Sequence, residues 1–392
     1  MDRMFHTPEG VRDVYNGECE QKMLLENRLH EVFNGYGYQD IETPTFEFFD
    51  VFSREVGTIP SRELYKFFDR EGNTLVLRPD FTPSIARAVS MYFSKEDMPV
   101  RLCYKGSTFI NQSSYQGRLK ESTQMGVECI GDASVESDAE ILAMMIELLK
   151  KAGLKEFQIS VGQVDFFKSL LEEAKMGNEA EEDLREQISH KNHFGVEEII
   201  AMQNLDPELE NAFLQLPYLF GGIEILEKSK ELTQNPKAVA AIKRLEDIYK
   251  VLSCYQCENY ISFDLGMLSK YKYYTGIIFQ AYTYGTGDAV IKGGRYNQLL
   301  GHFGRPAAAI GFTVVMENLM SVLSRQGISM DVKSGKILII YEHTCLEKAI
   351  QKAVDLRKLG KPVELLKRDP SKTISDYQKR GNYDEILDLC IG

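Results

Sequence analysis

Residues 101–131 read RLCYKGSTFINQSSYQGRLKESTQMGVECIG, and the rest of the chain is best read outward from them. Leu102-Cys103-Tyr104 is a short apolar run suited to a strand. A polar loop from Asn111 to Lys120 carries Gly117 and two cations, Arg118 and Lys120. Gln124, Met125, Val127, Cys129 and Ile130 then resume an extended pattern, with Glu128 set into it. Strand, long polar loop and strand predict a β-hairpin whose loop exceeds the tight two-residue kind. An amide and a carboxylate inside an apolar strand need partners, because burying them unpaired is costly. The alternative is that Gln124 and Glu128 lie on a solvated strand face.

The stretch resembles the second signature motif of class II aminoacyl-tRNA synthetases in its histidyl-tRNA synthetase form. That family reads F-R-x-E-x-P-Q-x-G-R and then Q-x-G-x-E; this chain reads FINQSSYQGR and QMGVE. Phe109, Gly117, Arg118, Gln124, Gly126 and Glu128 keep their places. Ile110 stands where the family has its catalytic arginine, and Gln112 where it has a glutamate. By the resemblance, that arginine grips the α-phosphate of ATP and the carboxylate of the amino acid. Isoleucine has no donor and no charge, so it cannot stabilise a reacting phosphate.

Three further segments extend the resemblance. LRPDFTPSIAR is similar to the synthetase segment L-R-P-E-x-T, which places Asp80 and Thr82 at positions that contact the amino acid. Thr82 also reads as a helix N-cap with Pro83 in the first turn. LSKYKYYTGIIF resembles R-G-L-D-Y-Y-T-G: Tyr273, Tyr274, Thr275 and Gly276 match, while Ser269 replaces an arginine and Lys272 an aspartate. Without the other matches, the two tyrosines read as a half-buried strand. Lys292-Gly-Gly-Arg-Tyr296 followed by AAIGFTVVMENLMSVL resembles the third class II motif, and Asn318 takes the place of its adenine-stacking arginine.

The chain is 392 residues long, 43% hydrophobic and 27% charged, which suits a soluble globular protein of two or three domains. Net charge is −12 and pI about 5.2, which disfavours non-specific nucleic-acid binding. Seven scattered cysteines fit reduced thiols in a cytoplasmic protein. Cys254-Tyr-Gln-Cys257 is a lone C-x-x-C without a second pair, so no metal site is expected. His190 and His193 form the only close histidine pair, in a polar stretch read as solvated. No apolar segment is long enough to span a bilayer, and the N-terminus has no secretory core.

Around the hairpin, Glu18 to Phe33 has helical spacing, with Met23, Leu24, Leu29 and Val32 read as one interface face. Asn34-Gly35 ends it, and Pro44 demotes the next extended run to an edge strand. This pair resembles the first class II motif, which implies a homodimer. Ser137-Asp-Ala-Glu140 reads as a capping box, closed at Gly153. Residues 164–252 are helical in period and acidic near Glu172–Glu186, an inserted helical module with a solvated acidic face. From Gly335, strand, helix and strand begin a βαβ pattern. It resembles the start of an anticodon-binding domain, but 58 residues remain where a full domain needs about a hundred.

The fold expected is therefore α+β. A class II synthetase-like antiparallel sheet flanked by helices would occupy residues 1–330, with the helical insertion inside it. A truncated α/β domain would occupy residues 335–392. Ile110, Ser269 and Asn318 each replace an arginine, so the resemblance implies a synthetase framework without synthetase chemistry and without anticodon reading. That combination resembles the family of synthetase paralogues that act as regulatory subunits of ATP phosphoribosyltransferase, the first enzyme of histidine biosynthesis. The resemblance implies a non-catalytic chain with no cofactor and no tRNA partner. It implies pairing with a short-form catalytic subunit and feedback by L-histidine. Asp80, Thr82, Gln124, Glu128, Tyr273 and Tyr274 are the implied histidine-binding residues. Lys105, Arg118, Lys270 or Lys272 would take over the ligand's carboxylate. The alternatives are an active histidyl-tRNA synthetase and another synthetase-like amino-acid-binding protein.

Overall fold

The structure, a computed structural model, describes residues 3–53, 59–112, 119–268, 273–330, 335–381 and 383–389. Gly117, Arg118, Ser269, Lys270 and Lys272, which the sequence reading singles out, lie outside the described residues. The chain divides into two units, Met1–Ser329 and Met330–Gly392.

The first unit is built on a nine-stranded sheet. Its strands run in the order Gln39–Asp40, Val100–Phe109, Glu121–Ile130, Ala309–Val315, Ile291–Arg295, Ile277–Tyr282, Gln158–Gln163, Ile261–Asp264 and Phe220–Gly221. The hairpin is continuous, from Val100 opposite Ile130 to Phe109 opposite Glu121. All pairings are antiparallel except two near the edges. Gln39–Asp40 runs parallel to Leu102–Cys103, and Ile159–Val161 parallel to Ile261–Phe263. A second, three-stranded sheet of Phe46–Phe48, Thr74–Leu77 and Lys66–Phe68 follows Pro44.

The helix Asn16–Gly35 buries Leu25, Leu29, Val32 and Phe33, and Phe33 lies 6.1 Å from the Phe312 ring. The expected interface face is thereby corrected. Leu29 and Val32 pack into the chain's own core, and Met23 is exposed. The helix Val135–Ala152 begins earlier than the capping-box reading. Ser134 caps it by accepting from the Ser137 backbone N–H at 3.1 Å, and Gly153 ends it in the left-handed region at φ 100°. The helix Thr82–Tyr92 has Phe81 at its N-cap and no side-chain cap, so Thr82 is not the N-cap. Asp80 Oδ1 accepts from the Phe81 N–H at 2.7 Å, which leaves the Thr82 hydroxyl to point elsewhere.

Six α-helices fill Val164–Cys254, interrupted by the strand Phe220–Gly221. The last, Pro236–Cys254, is pinned to the sheet layer through Asp138. Arg244 Nε donates to Asp138 Oδ2 at 2.7 Å, and Arg295 Nε to Asp138 Oδ1 at 2.8 Å. Asp138 and Arg295 are buried, so this carboxylate is answered from two sides.

In the second unit, Ile337–Tyr341 lies between Val363–Lys367 and Glu385–Asp388, all parallel. Ile337 and Ile339 meet Ala349 and Ala353 of the helix Leu346–Lys358 on one face. Leu338 and Ile340 meet Tyr377 of Ile374–Arg380 on the other. Burial on both faces explains the unbroken apolar run of this strand.

Candidate functional site

Strand alternation and register put the site on one face of the sheet. Gln124, Gly126 and Glu128 share a face of Glu121–Ile130. Gly311 lies opposite Glu128 and Gly294 opposite Gly311; one step along, Thr313 lies opposite Gly126 and Lys292 opposite Thr313. Glycines at 126, 294 and 311 make this face concave. A Cβ on Gly126 would lie 2.3 Å from the Phe312 carbonyl oxygen, and one on Gly311 would lie 1.8 Å from Glu128 Oε2. Above it stands the start of the helix Thr82–Tyr92. Together they enclose a cavity of about 620 Å³, large enough for an amino acid.

All six residues expected at a ligand site line this cavity: Asp80, Thr82, Gln124, Glu128, Tyr273 and Tyr274. Ile110 and Asn318, two of the three positions lacking the family's arginine, line it as well.

Glu128 is 1% exposed, so it is not on a solvated strand face. Its Oε1 accepts from the Thr82 hydroxyl at 2.7 Å and its Oε2 from the Tyr296 hydroxyl. Burial pushes the Glu128 carboxyl up to about 8, against the pull of those two donors. Burial also raises Asp80, to about 6, against the backbone N–H groups of Thr82 and Phe81. Tyr296 and Tyr104 are held well above the ordinary phenol value, chiefly by burial, so both stay neutral donors. The Gln124 side-chain oxygen is buried without a partner among the described residues. The cavity wall thus presents several acceptors to whatever enters, and N–H groups of an imidazole or an ammonium are the natural complement.

Tyr273 and Tyr274 pack with ring centroids 4.5 Å apart, and Tyr273 meets Tyr296 edge-on at 6.0 Å. Asn318 donates from Nδ2 to the Ala289 carbonyl at 3.1 Å, a contact that ties the wall together and offers no charge to a nucleotide. Glu317, beside it, accepts the Thr123 backbone N–H with both oxygens at 3.0 Å. Lys105 is corrected as a carboxylate partner: it does not line the cavity and pairs with Glu26 at 3.1 Å.

Several site residues carry no role in the sequence reading. Tyr296 belongs to the matched Gly-Gly-Arg-Tyr segment, but only the folded sheet aims its hydroxyl at Glu128. Gly311 reads as an ordinary strand glycine until Glu128 is found against it. Arg78 is buried, stacks over the Phe81 ring at 4.0 Å and donates to the carbonyls of Ser107 and Thr43, each at 2.8 Å. It braces the segment that carries Asp80. Its sequence signal is its place in the matched Leu77-Arg78-Pro79 segment, which gave it no role.

Outside the cavity, the ligand-type atoms of His30, Asp40 and Cys103 lie within 4.8 Å of one another. They are joined by hydrogen bonds of 2.8 Å from His30 to Asp40 and 3.5 Å from Cys103 to Asp40. Cys254 is exposed and Cys257 buried, and each donates its thiol to a nearby carbonyl.

A family model for histidyl-tRNA synthetase matches residues 10–319. An ATP phosphoribosyltransferase regulatory subunit from Ruminiclostridium cellulolyticum is 41% identical over 359 residues, covering 92% of this chain and 86% of that protein. Its counterpart from Thermoanaerobacter pseudethanolicus is 41% identical over 386 residues, covering 98% and 100%. A crystal structure of an ATP phosphoribosyltransferase regulatory subunit/histidyl-tRNA synthetase from Bacillus halodurans C superposes with a TM-score of 0.88 at 32% identity, covering 98% of each chain. Histidyl-tRNA synthetase from a Nostoc species superposes with a TM-score of 0.80 at 17% identity over 96% of this chain and 88% of that one, a likeness of fold alone.

Proposed function

The chain belongs to the ATP phosphoribosyltransferase regulatory subunits of the histidyl-tRNA synthetase-like family, and from this we infer that it is the non-catalytic subunit of that enzyme. It serves the first step of histidine biosynthesis. The observation that carries this reading is a synthetase-type cavity lacking two of the arginines that the synthetase resemblance calls for. Ile110 and Asn318 line it where the synthetase resemblance calls for arginines, and Asn318 is spent on a backbone carbonyl. Stabilising a transferring phosphoryl group needs preorganised charge, and neither side chain supplies it.

The partner is a catalytic phosphoribosyltransferase subunit, of the short form. The effector is L-histidine, bound in the cavity with its imidazole toward Asp80, Gln124 and Glu128 and walled by Tyr273 and Tyr274. Feedback follows if histidine binds the inhibited state of the assembly more tightly than the active one, since only differential affinity shifts an equilibrium. A homodimer forms the core of that assembly, in the cytoplasm. Exposed aromatic rings of the small sheet, Phe46 and Phe48, supply apolar surface for it. Among the described residues, no helix is long and apolar enough to cross a membrane.

The test is reconstitution. Titrating this chain into the short catalytic subunit should raise ATP phosphoribosyltransferase turnover, and L-histidine should then lower it. A catalytic subunit indifferent to the chain would overturn the subunit reading. Activation without any response to histidine would overturn the effector reading alone.

A further inference from the structure

The cavity has an acidic side and an unanswered cation across from it. Lys292 lines the cavity from the strand Ile291–Arg295, on the same sheet face as Gly294, Thr313 and Glu128. Among the described residues its ammonium has no ion pair and no side-chain hydrogen bond. The other cations of that wall are placed differently. Arg12 is paired with Glu18. Lys120, half-buried, likewise has no ion pair or side-chain hydrogen bond among the described residues, but it stands at the end of the loop side of the cavity with its stem against Gly10, where an added Cβ would meet Lys120 Cγ at 2.6 Å. Two carboxylates share the Lys292 end. Asp288 lies beyond ion-pair distance, and Glu317 is engaged with the Thr123 N–H. Register fixes the separation from the acidic side. Lys292 is two strands across from Gly126 and one two-residue step from the row of Glu128. With strands ~4.8 Å apart and ~3.4 Å per residue, the Cα atoms of Lys292 and Glu128 are about 12 Å apart. Glu128 is buried and Lys292 exposed at the solvent side of the cavity, so one small molecule fits between carboxylate and ammonium.

We propose that Lys292 holds the carboxylate of a small zwitterionic ligand whose N–H groups face Asp80, Gln124 and Glu128. Lys292 then takes the charge role that Ile110 and Asn318 cannot. The chemical class follows: an amino acid with donors at one end and a carboxylate at the other. A neutral sugar or a nucleobase would leave the ammonium unmatched, and a second cation would meet repulsion there. A lysine is a point charge on a flexible stem and suits a single carboxylate better than a transferring phosphate that needs a planar fork. This assignment rests on the histidine reading of the cavity, and the experiment separates the two.

Calorimetry on the full chain with its catalytic subunit, using L-histidine and histamine, tests it. Histamine keeps the imidazole and the amine and lacks the carboxylate. L-Histidine should bind the parent more tightly than histamine does. Lys292→Gln should weaken L-histidine roughly ten- to hundredfold, the worth of one charge-assisted contact, and should not weaken histamine. Lys292→Arg should restore most of the loss, and a larger loss of L-histidine affinity in Lys120→Gln than in Lys292→Gln would move the assignment to Lys120 and overturn it. Unaltered L-histidine binding by Lys292→Gln overturns the assignment and leaves the histidine reading standing. Equal loss of both ligands also overturns it, because the lysine would then be shaping the whole cavity. A parent that binds no L-histidine overturns the histidine reading and this assignment together.

Discussion

Thr82 donates its hydroxyl to Glu128 Oε1 at 2.7 Å, from the first turn of one helix to the middle of a strand 46 residues later. With the Tyr296 hydroxyl on the other oxygen, the carboxylate is held in one orientation by two neutral donors. No cation faces it within ion-pair distance among the described residues. The site is therefore desolvated and, once the Glu128 carboxyl is ionised, acceptor-rich, an environment in which an incoming N–H or cation gains more than it would in water.

That environment gives a pH signature. Glu128 is raised from its ordinary 4.5 to about 8, so between these values the folded chain keeps a proton that the unfolded chain has lost. Stability should then be highest below about pH 4.5 as far as this group is concerned, and fall as pH rises through about 8. Glu128→Gln removes the contribution. Urea unfolding of parent and variant between pH 5 and pH 8 should show the variant gaining relative to the parent as pH rises. Parallel curves would contradict the placement of this carboxyl.

Gly311→Ala tests the room Glu128 needs. The added Cβ would lie 1.8 Å from Glu128 Oε2 and 2.4 Å from the Val127 carbonyl oxygen, and the backbone oxygen has nowhere to go. The expected cost is about 1–3 kcal/mol, as for other overpacked sites. Loss of histidine binding should accompany it. Denaturant midpoints measure the first and calorimetry the second, and an unchanged midpoint would refute the close packing.

Asp138 sits between Arg295 and Arg244, with Arg295 3% and Arg244 27% exposed at the side chain. Asp138→Asn leaves the buried Arg295 guanidinium without its counter-charge, which should cost about 3–5 kcal/mol. Arg244→Met should cost less, because water reaches that side. A smaller loss for Asp138→Asn than for Arg244→Met in denaturant unfolding would overturn this ranking.

ATP–pyrophosphate exchange with histidine should be absent. Each missing charge-assisted contact to the reacting phosphate is worth roughly 3 kcal/mol or more, so the replacements at 110 and 318 together should remove orders of magnitude in rate. An isotope-exchange assay at ordinary synthetase rates would contradict the non-catalytic assignment.

The sequence by itself determined the framework. Period-two runs around a polar loop specified the 101–131 hairpin, and the unbroken apolar run at Ile337–Tyr341 specified a strand covered on both sides. The order of the motifs specified the synthetase-like fold and brought six candidate residues to one cavity. These features are local, or repeat at a fixed spacing, and spacing is what a sequence displays directly. It did not determine which face of the helix Asn16–Gly35 turns inward, because Leu24 and Leu25 are adjacent and equally apolar, and only contact with the sheet selects Leu25. Nor did it determine where the Thr82 hydroxyl goes, since Thr82 also reads as an N-cap and the helix has Phe81 there with no side-chain cap. Glu128, with no partner near it in the chain, draws the Thr82 hydroxyl away. The roles of Tyr296, Gly311 and Lys292 depend on strand register across more than 160 residues. A hydroxyl reaches a carboxylate, a glycine makes room for it and a lysine is left without a partner only when non-adjacent strands lie side by side, so those facts belong to the tertiary structure.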